Sequence, residues 1–132
     1  MSAYTTIKTK FVDSEILQQA LKDIGFKVEV GQDMVLYNWT GTPQARTADI
    51  VIRRKHLTSI SNDIGFTKER GVYKVSISDV DLKAEKTADF INRVLHRYNY
   101  LKVKKEVARQ GLRLVQEKKL PDGTIELQVL SS

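Results

Sequence analysis

The sequence predicts an α+β fold with a mainly antiparallel sheet, two helices (one long) packed on one face, and a C-terminal β-hairpin. Three observations predict this class. Residues 14–24 have apolar side chains at helical spacing, residues 84–110 form a much longer helical stretch, and short alternating segments surround both. Strands and helices that do not alternate regularly favour a sheet with helices on one side. A chain of 132 residues that is 41% hydrophobic is expected to form a single domain over 1–132.

The first strand and the first helix are the clearest elements. Residues 4–11 alternate between polar and apolar, which predicts a half-buried strand. Asp13 stands at the N-cap position of the helix over 14–24, and Gly25 follows that helix where a left-handed C-cap is favoured. A second strand over 26–30 comes directly afterwards.

The middle of the chain predicts a loop and then three strands. From residue 31 to residue 47 the alternation weakens, and a Gly-Thr-Pro turn signal lies close to Trp39, the only tryptophan. We therefore expect a loop there. Alternation resumes in three short strands, predicted at 48–53, 64–68 and 72–78.

A single long helix is predicted over 84–110, ended by Gly111. At about 1.5 Å per residue it would reach roughly 40 Å, so a break near Asn99 is expected. Asp79 and Asp81 precede it, where aspartate caps a helix and complements its dipole. The final hairpin is predicted from strands at 112–118 and 124–130 joined by a Pro-Asp-Gly turn.

Constellations for catalysis or metal binding are missing from the sequence. Cysteine is absent, and the two histidines, His56 and His96, are 40 positions apart without a nearby carboxylate cluster. The glycines are scattered singly, which does not suit a phosphate-binding loop. We therefore expect a non-enzymatic protein without a cofactor or metal. An enzyme would need Tyr73, His96 and the Asp79/Asp81 pair to converge.

Positive charge is concentrated toward the C-terminal part of the chain. Nine cations and two carboxylates between residues 93 and 119 give that segment a charge of +7, and because the whole chain carries +6 the remainder carries −1. Helical spacing arranges six of these cations in two stripes beside the apolar one, which includes Tyr98. Aromatics among cations are typical of nucleic-acid surfaces, although a solvated helix face has the same composition. The candidate partner-binding residues are Arg93, Arg97, Tyr100, Lys102, Lys104, Lys105 and Arg109.

Two binding hypotheses follow from this charge. The first is an adaptor that docks on a protein partner through the long helix or the sheet. The alternative is an RNA-binding module that uses the basic surface of the long helix and the C-terminal hairpin. A homodimer is a further hypothesis, because short edge strands can pair between two copies.

Several segments, taken together, resemble the hypothetical chloroplast reading frame thirty-five family of cyanobacteria and algal plastids. They are YTTIKTK at 4–10, ALKDIG at 20–25, ADIVIR at 48–53, DIGF at 63–66, GVY at 71–73, YNYLKVK at 98–104, RQGL at 109–112 and DGTIEL at 122–127. The resemblance covers nearly the full chain. It implies a small protein of unknown biochemical function, with no catalytic residues to carry over.

The expected location follows from the resemblance and from the hydropathy of the chain. The family implies the cytoplasm of a cyanobacterial-type cell or its phage, or the plastid stroma. No window approaches the roughly 18 consecutive apolar residues that a membrane-spanning helix needs, so no membrane span is expected.

Overall fold

The computed structural model describes residues 3–131, without the side chain of Lys86. Met1, Ser2 and Ser132, the ends of the predicted domain, lie outside the described residues. Its α+β architecture, with a mainly antiparallel sheet and a C-terminal hairpin, confirms the predicted class. The helices and strands in chain order are β1 (Tyr4–Lys8), α1 (Ser14–Asp23), β2 (Glu29–Tyr37), β3 (Pro43–Ile52), β4 (Ile64–Glu69), β5 (Val72–Ser78), α2 (Asp79–Lys83), α3 (Phe90–Arg109), β6 (Leu112–Lys119) and β7 (Ile125–Ser131).

The strands form two antiparallel sheets. The larger has five strands in the order β1-β5-β4-β3-β2, and β6 and β7 pair only with each other. Each neighbouring pair in the larger sheet is antiparallel. Between β4 and β5 the chain reverses at Arg70 and Gly71, whose φ angles of 51° and 82° are those of a tight hairpin turn. Because none of the described strands of the larger sheet pairs with β6 or β7, their hairpin is a second, separate sheet.

The main core lies between one face of the five-stranded sheet and the helices α1 and α3. Helix α1 contributes Leu17 and Leu21, and α3 contributes Val94 and Tyr98, all of them buried. The Tyr98 hydroxyl accepts hydrogen bonds from the backbone N–H groups of residues 12 and 13 at 3.0 Å each. This buried contact fixes the chain entering α1 against α3.

A smaller apolar cluster is formed by Leu36, Ala48 and Val51. Gly65 of β4 lies beside it without a side chain. A Cβ at Gly65 would come within 2.7 Å of the Ala48 Cβ and 3.0 Å of both Leu36 methyl carbons. Only glycine fits this position without displacing its neighbours.

Three strand predictions are wrong in their bounds, and the third of them, at 48–53, is part of β3, which begins at Pro43. The first strand ends at Lys8 rather than residue 11, although Phe11 is fully buried. The second runs from Glu29 to Tyr37 instead of 26–30, and most of the loop predicted over 31–47 lies in β2 and β3. The pairing of β2 with β3 shifts register between Val30 and Met34, where Asp33 has φ 49°. This irregularity interrupts the alternation by which a strand is recognised.

The single long helix is also corrected. The chain leaves α2 after Lys83, because Ala84 is extended, and it passes through a 3₁₀ turn over Glu85–Thr87 before α3 begins. Helix α3 then runs for 20 residues without the break expected near Asn99. At about 1.5 Å per residue it is roughly 30 Å long, so the length argument for a break no longer applies.

The prediction for Asp79 and Asp81 is correct for the helix dipole and wrong for the cap, because both lie in the first turn of α2 but neither is its N-cap. Ser78 is the N-cap of α2, and its side chain accepts from the Asp81 backbone N–H. Asp79 instead accepts a hydrogen bond from the Ala3 backbone N–H. Asp81 is fully buried, and its Oδ2 accepts from the Asn62 backbone and the Ser78 hydroxyl, whereas its Oδ1 has no hydrogen-bond partner among the described groups, which exclude the Lys86 side chain.

Other predictions hold. Asp13 caps α1 by accepting from the Ile16 backbone N–H, and α1 ends one residue before the predicted limit. The strands predicted over 64–68 and 72–78 and the final hairpin are confirmed within a residue at most ends. In the part of the chain described, no helix is long and apolar enough to span a bilayer.

Candidate functional site

The C-terminal half of α3 and the hairpin form an open apolar surface in the basic part of the chain. Tyr98 is the last buried residue, and none of the described residues 99–131 is buried. The apolar side chains that β6 and β7 direct toward α3 are only half-buried. We call this surface the hairpin groove, and it is lined by Val103, Val107, Leu112, Leu114, Ile125 and Leu127.

The groove contains two neighbouring cavities, which share Leu127 in their walls. Val103, which is 47% exposed, faces Ile125 and Leu127 across a cavity of about 390 Å³ that also has His96, Asn99 and Tyr100 in its wall. Farther along α3 a cavity of about 180 Å³ is lined by Val107, Leu112 and Leu114, with Lys104 beside it. The floor is therefore apolar and the rim polar or cationic, as in a typical protein interface.

Most of the predicted partner-binding cations already contact groups of this chain. The Arg93 guanidinium donates to the Ile24 carbonyl at 3.3 Å. Lys102 is exposed and forms no ion pair within residues 3–131. The other four form ion pairs, with N···O distances of 2.8 Å for Arg97–Asp23, 3.9 Å for Lys104–Glu117, 3.1 Å for Lys105–Asp13 and 2.5 Å for Arg109–Glu106.

Tyr100 is the half-buried aromatic among these cations. Arg97 and Lys104 lie over its ring, 4.6 and 5.3 Å from the centroid. Its hydroxyl donates a hydrogen bond to Glu117 of β6, and this bond raises the pKa of the Tyr100 hydroxyl. Tyr100 therefore connects α3 to the hairpin, as well as lining the groove.

Hydrogen bonds from Gln19 and then Arg97 lower the pKa of Asp23, and two other carboxylates of these ion pairs also have lowered pKa values. The hydrogen bond from the Ile16 backbone, followed by that from Lys105, lowers the pKa of Asp13. Hydrogen bonds from Arg109 and Gln110 lower the pKa of Glu106 to about 2. Both carboxylates are therefore ionised at neutral pH and complete their contacts with the cations of α3.

The residues that an enzyme would need do not meet. Tyr73 is buried in the main core, and Lys68 lies 5.7 Å from the centroid of its ring. His96 lines the hairpin groove, whereas Asp81 is buried beside Asn62 and Ser78. Within residues 3–131 no group of three His, Cys, Asp or Glu side chains is placed to hold a metal ion.

The structure reveals a second surface that sequence reasoning missed. Tyr37, the last residue of β2, is 39% exposed, and Arg53 lies 5.8 Å from the centroid of its ring. Trp39, in the turn that follows, is 46% exposed, and its carbonyl accepts a hydrogen bond from Arg54. A cavity of about 420 Å³ opens here, between the end of β2 and the start of the 3₁₀ turn Arg54–His56. We call this surface the aromatic platform. Two signals could have found it: the lone tryptophan, and the Arg53-Arg54-Lys55 run directly after a strand.

Asn62 and Asp63, both buried, hold the platform in place. Asp63 accepts from the backbone N–H groups of Tyr37 and Arg54 at 2.8 Å each, and its own N–H donates to the Tyr37 carbonyl. The Asn62 side-chain oxygen accepts from the Trp39 N–H at 2.9 Å. The backbone carrying both aromatic rings is therefore fixed by buried polar groups.

The fold defines a small α+β protein with a five-stranded antiparallel sheet and a C-terminal hairpin. The sequence pattern of a family described as "Protein of unknown function (DUF1257)" matches residues 20–128, and the chain belongs to this family. An "Uncharacterized protein ycf35" from Pyropia yezoensis is 27% identical over 131 residues, which cover 98% of this chain and 96% of that relative. The predicted resemblance to the hypothetical chloroplast reading frame thirty-five family is confirmed. No solved structure matches the chain.

Proposed function

We propose that this protein is a non-enzymatic adaptor that docks a protein partner in the hairpin groove. One observation carries the proposal: the groove has an apolar floor without a single buried residue in residues 99–131. Half of α3 and a complete hairpin thus expose apolar surface that a partner would cover. Apolar patches rimmed by polar groups mark interaction sites.

The charge around the groove favours a partner with an acidic, amphipathic segment. The groove lies in the segment that carries +7, whereas the remainder of the chain carries −1. Carboxylates of a partner would meet Lys104, which lines the groove and lies 3.9 Å from its own partner Glu117. Such complementarity steers encounter and fixes orientation, while the apolar floor supplies affinity.

RNA is the alternative occupant of the same basic surface. Arg97, Lys104, Lys105 and Arg109 would have to exchange their own carboxylates for phosphates. Binding to phosphates releases counterions, so it would weaken steeply between about 50 and 200 mM salt. Binding through the apolar floor should persist.

The test is an affinity capture from native lysate with a matched pair of variants. Val103→Glu places a charge in the floor of the groove, and Val30→Glu places the same charge at another exposed valine, on β2. Both valines are about half exposed, so neither variant should unfold. We expect a protein captured by wild type and Val30→Glu, after nuclease treatment and at about 500 mM salt, to be lost with Val103→Glu.

Three other outcomes would contradict the proposal. Capture that disappears with nuclease would indicate RNA. Capture that Val103→Glu and Val30→Glu retain equally would place the partner outside the groove. A doubled mass of the purified protein in light scattering, reduced to one chain by Val103→Glu, would make the occupant a second copy of this chain.

The place of action is part of the same proposal. The ycf35 relative from Pyropia yezoensis supports a plastid-type or cyanobacterial-type origin. We place the adaptor in the plastid stroma or in the cytoplasm of a cyanobacterial-type cell, where either the cell or its phage encodes it. A fluorescent fusion of the chain, imaged against a thylakoid marker, would test this.

A further inference from the structure

We propose that the aromatic platform is a separate binding site for a nucleotide-type ligand, a flat base that carries a phosphate. The site lies at the end of β2 and β3, and a cavity of about 420 Å³ is the size of pocket that holds small ligands. It shares no lining residue with the hairpin groove.

The two aromatic side chains are exposed on a rigid mount. Tyr37 is tied to Asp63 through both its backbone N–H and its carbonyl, and the Trp39 carbonyl accepts from Arg54 at 3.1 Å. Residues 38–42 are closed into a turn by the Asn38 side chain, which accepts from the N–H groups of Thr40 and Thr42. A fixed backbone beneath an exposed aromatic side chain leaves only the side chain to be ordered when a ligand stacks on it.

Arg53 supports the platform and is already neutralised. Its guanidinium donates to Glu29 at 2.9 Å, to Asp63 at 2.8 Å and to the Val35 carbonyl at 2.7 Å. It also lies 5.8 Å from the centroid of the Tyr37 ring. With three acceptors on one guanidinium, Arg53 acts in positioning Tyr37 rather than in holding an anion.

Arg54 and Lys55 supply the charge for the ligand. The two carboxylates in the cavity wall, Glu29 and Asp63, both form ion pairs with Arg53. The wall holds three cations and two carboxylates, so its net charge is +1. Gly41 also lines the cavity beside Arg54.

An aromatic face next to spare cations recognises a base and its phosphate together. Bases stack on Trp and Tyr rings whatever their sequence, and Arg and Lys bind the phosphate oxygens. The same chemistry is offered by a free nucleotide and by single-stranded RNA, so both sources fit the site.

The experiment uses Trp39, the only tryptophan, as its reporter in the full chain. Its emission is followed during titration with AMP, adenosine, inorganic phosphate and an adenine oligoribonucleotide of about ten nucleotides. We expect AMP to give a saturable change and adenosine to bind at least about fivefold more weakly, the loss of one charge-assisted contact. Calorimetry with a variant of the aromatic residue that lines the cavity, Tyr37→Ala, should detect no AMP binding.

Charge-neutral variants decide whether the assigned cations act. Arg54→Gln keeps a donor for the Trp39 carbonyl. Lys55→Gln changes an exposed side chain, so this variant should fold like wild type. Each should weaken AMP binding at least about fivefold, while Lys22→Gln on α1 should not.

The two sources give different results, and both differ from failure. An oligoribonucleotide that binds at least about tenfold more tightly than AMP identifies RNA, and similar affinities identify a free nucleotide. The proposal is overturned if neither probe saturates below about 1 mM. It is also overturned if Arg54→Gln and Lys55→Gln bind AMP like wild type. Neither result bears on the hairpin groove.

Discussion

Helix α3 belongs to two different regions of the molecule. Its first half packs Phe90, Val94 and Tyr98 into the main core, where α1 and the five-stranded sheet bury them. Its second half, together with β6 and β7, has no buried residue among those described. A single helix thus supports a closed core at one end and an open apolar surface at the other. The position of the hairpin therefore depends on its packing against α3, because the hairpin has no buried core of its own among the described residues.

The largest expected difference between the regions comes from the same substitution made in each. Leu17 of α1 is fully buried, whereas Leu127 of β7 is half-buried. Leu17→Ala should lower the free energy of unfolding by about 2–5 kcal/mol, because a buried leucine leaves a cavity. Leu127→Ala should cost no more than about 1 kcal/mol, since its partly exposed surface contributes less burial. Urea unfolding measures both values. Equal losses would show that Leu127 is packed as tightly as Leu17, so that the two regions do not differ.

Gly65 tests how closely the main sheet is packed on its smaller apolar cluster. Gly65→Ala would press a methyl group against the Ala48 Cβ, which is attached directly to the backbone and cannot rotate away. We expect a loss of about 1–3 kcal/mol in unfolding free energy, the range for overpacking a filled site. Thermal unfolding of the variant measures this loss. An unchanged midpoint would mean that this side of the sheet yields as readily as the hairpin.

Two tyrosines on α3, two residues apart, lie on either side of the boundary between the regions. Tyr98→Phe leaves the N–H groups of Val12 and Asp13 without an acceptor, so we expect a loss of about 1–2 kcal/mol. Tyr100→Phe removes only an exposed bond to Glu117 and should change stability by less than about 0.5 kcal/mol. Denaturant midpoints of the two variants provide the measurement. If Tyr100→Phe destabilised the protein more than Tyr98→Phe, the contact between Tyr100 and the hairpin would belong to the stable core region.

Local patterns predicted the fold where each element follows a regular repeat. The Asp13 cap, the strands β4 and β5 and the final hairpin follow from periodicity and turn residues. The full length of strand β2 could not be predicted, because the irregular pairing around Asp33 interrupts its alternation. The start of α3 was missed for a different reason. The extended Ala84 and the left-handed Asp89 end one helix and precede the next within an apparently continuous helical pattern.

The two candidate sites differ in how much the sequence reveals of them. The cations of α3 are visible as a charge excess, but their ion pairs with Asp13 and Asp23 of the α1 region depend on tertiary packing. The aromatic platform joins side chains from β2 to the residues after β3. Its mount, Asn62 and Asp63, lies in a loop with no repeat to signal it. Only the chain path brings these groups together.

The smallest effect tests whether the two regions are coupled. Lys105, on the exposed half of α3, donates to Asp13, which caps α1 of the buried region. The folded-state pKa of Asp13 is lowered by the Ile16 hydrogen bond and then by Lys105. The stabilisation is therefore fully present above the unfolded-state pKa of about 3.9, and it is lost as the pH falls through the lower folded value.

Asp13→Asn separates the charge from the cap, because asparagine can still accept from the Ile16 N–H. We expect wild type to exceed this variant by up to about 1 kcal/mol at pH 7, with the difference shrinking toward pH 3. Lys105→Gln should lose a smaller part of the same difference and raise the pKa of Asp13, as measured by NMR titration. A difference between wild type and Asp13→Asn that does not change with pH would show that the cap works without its charge. An Asp13 pKa that ignores Lys105→Gln would mean that the exposed half of α3 does not reach the core electrostatically.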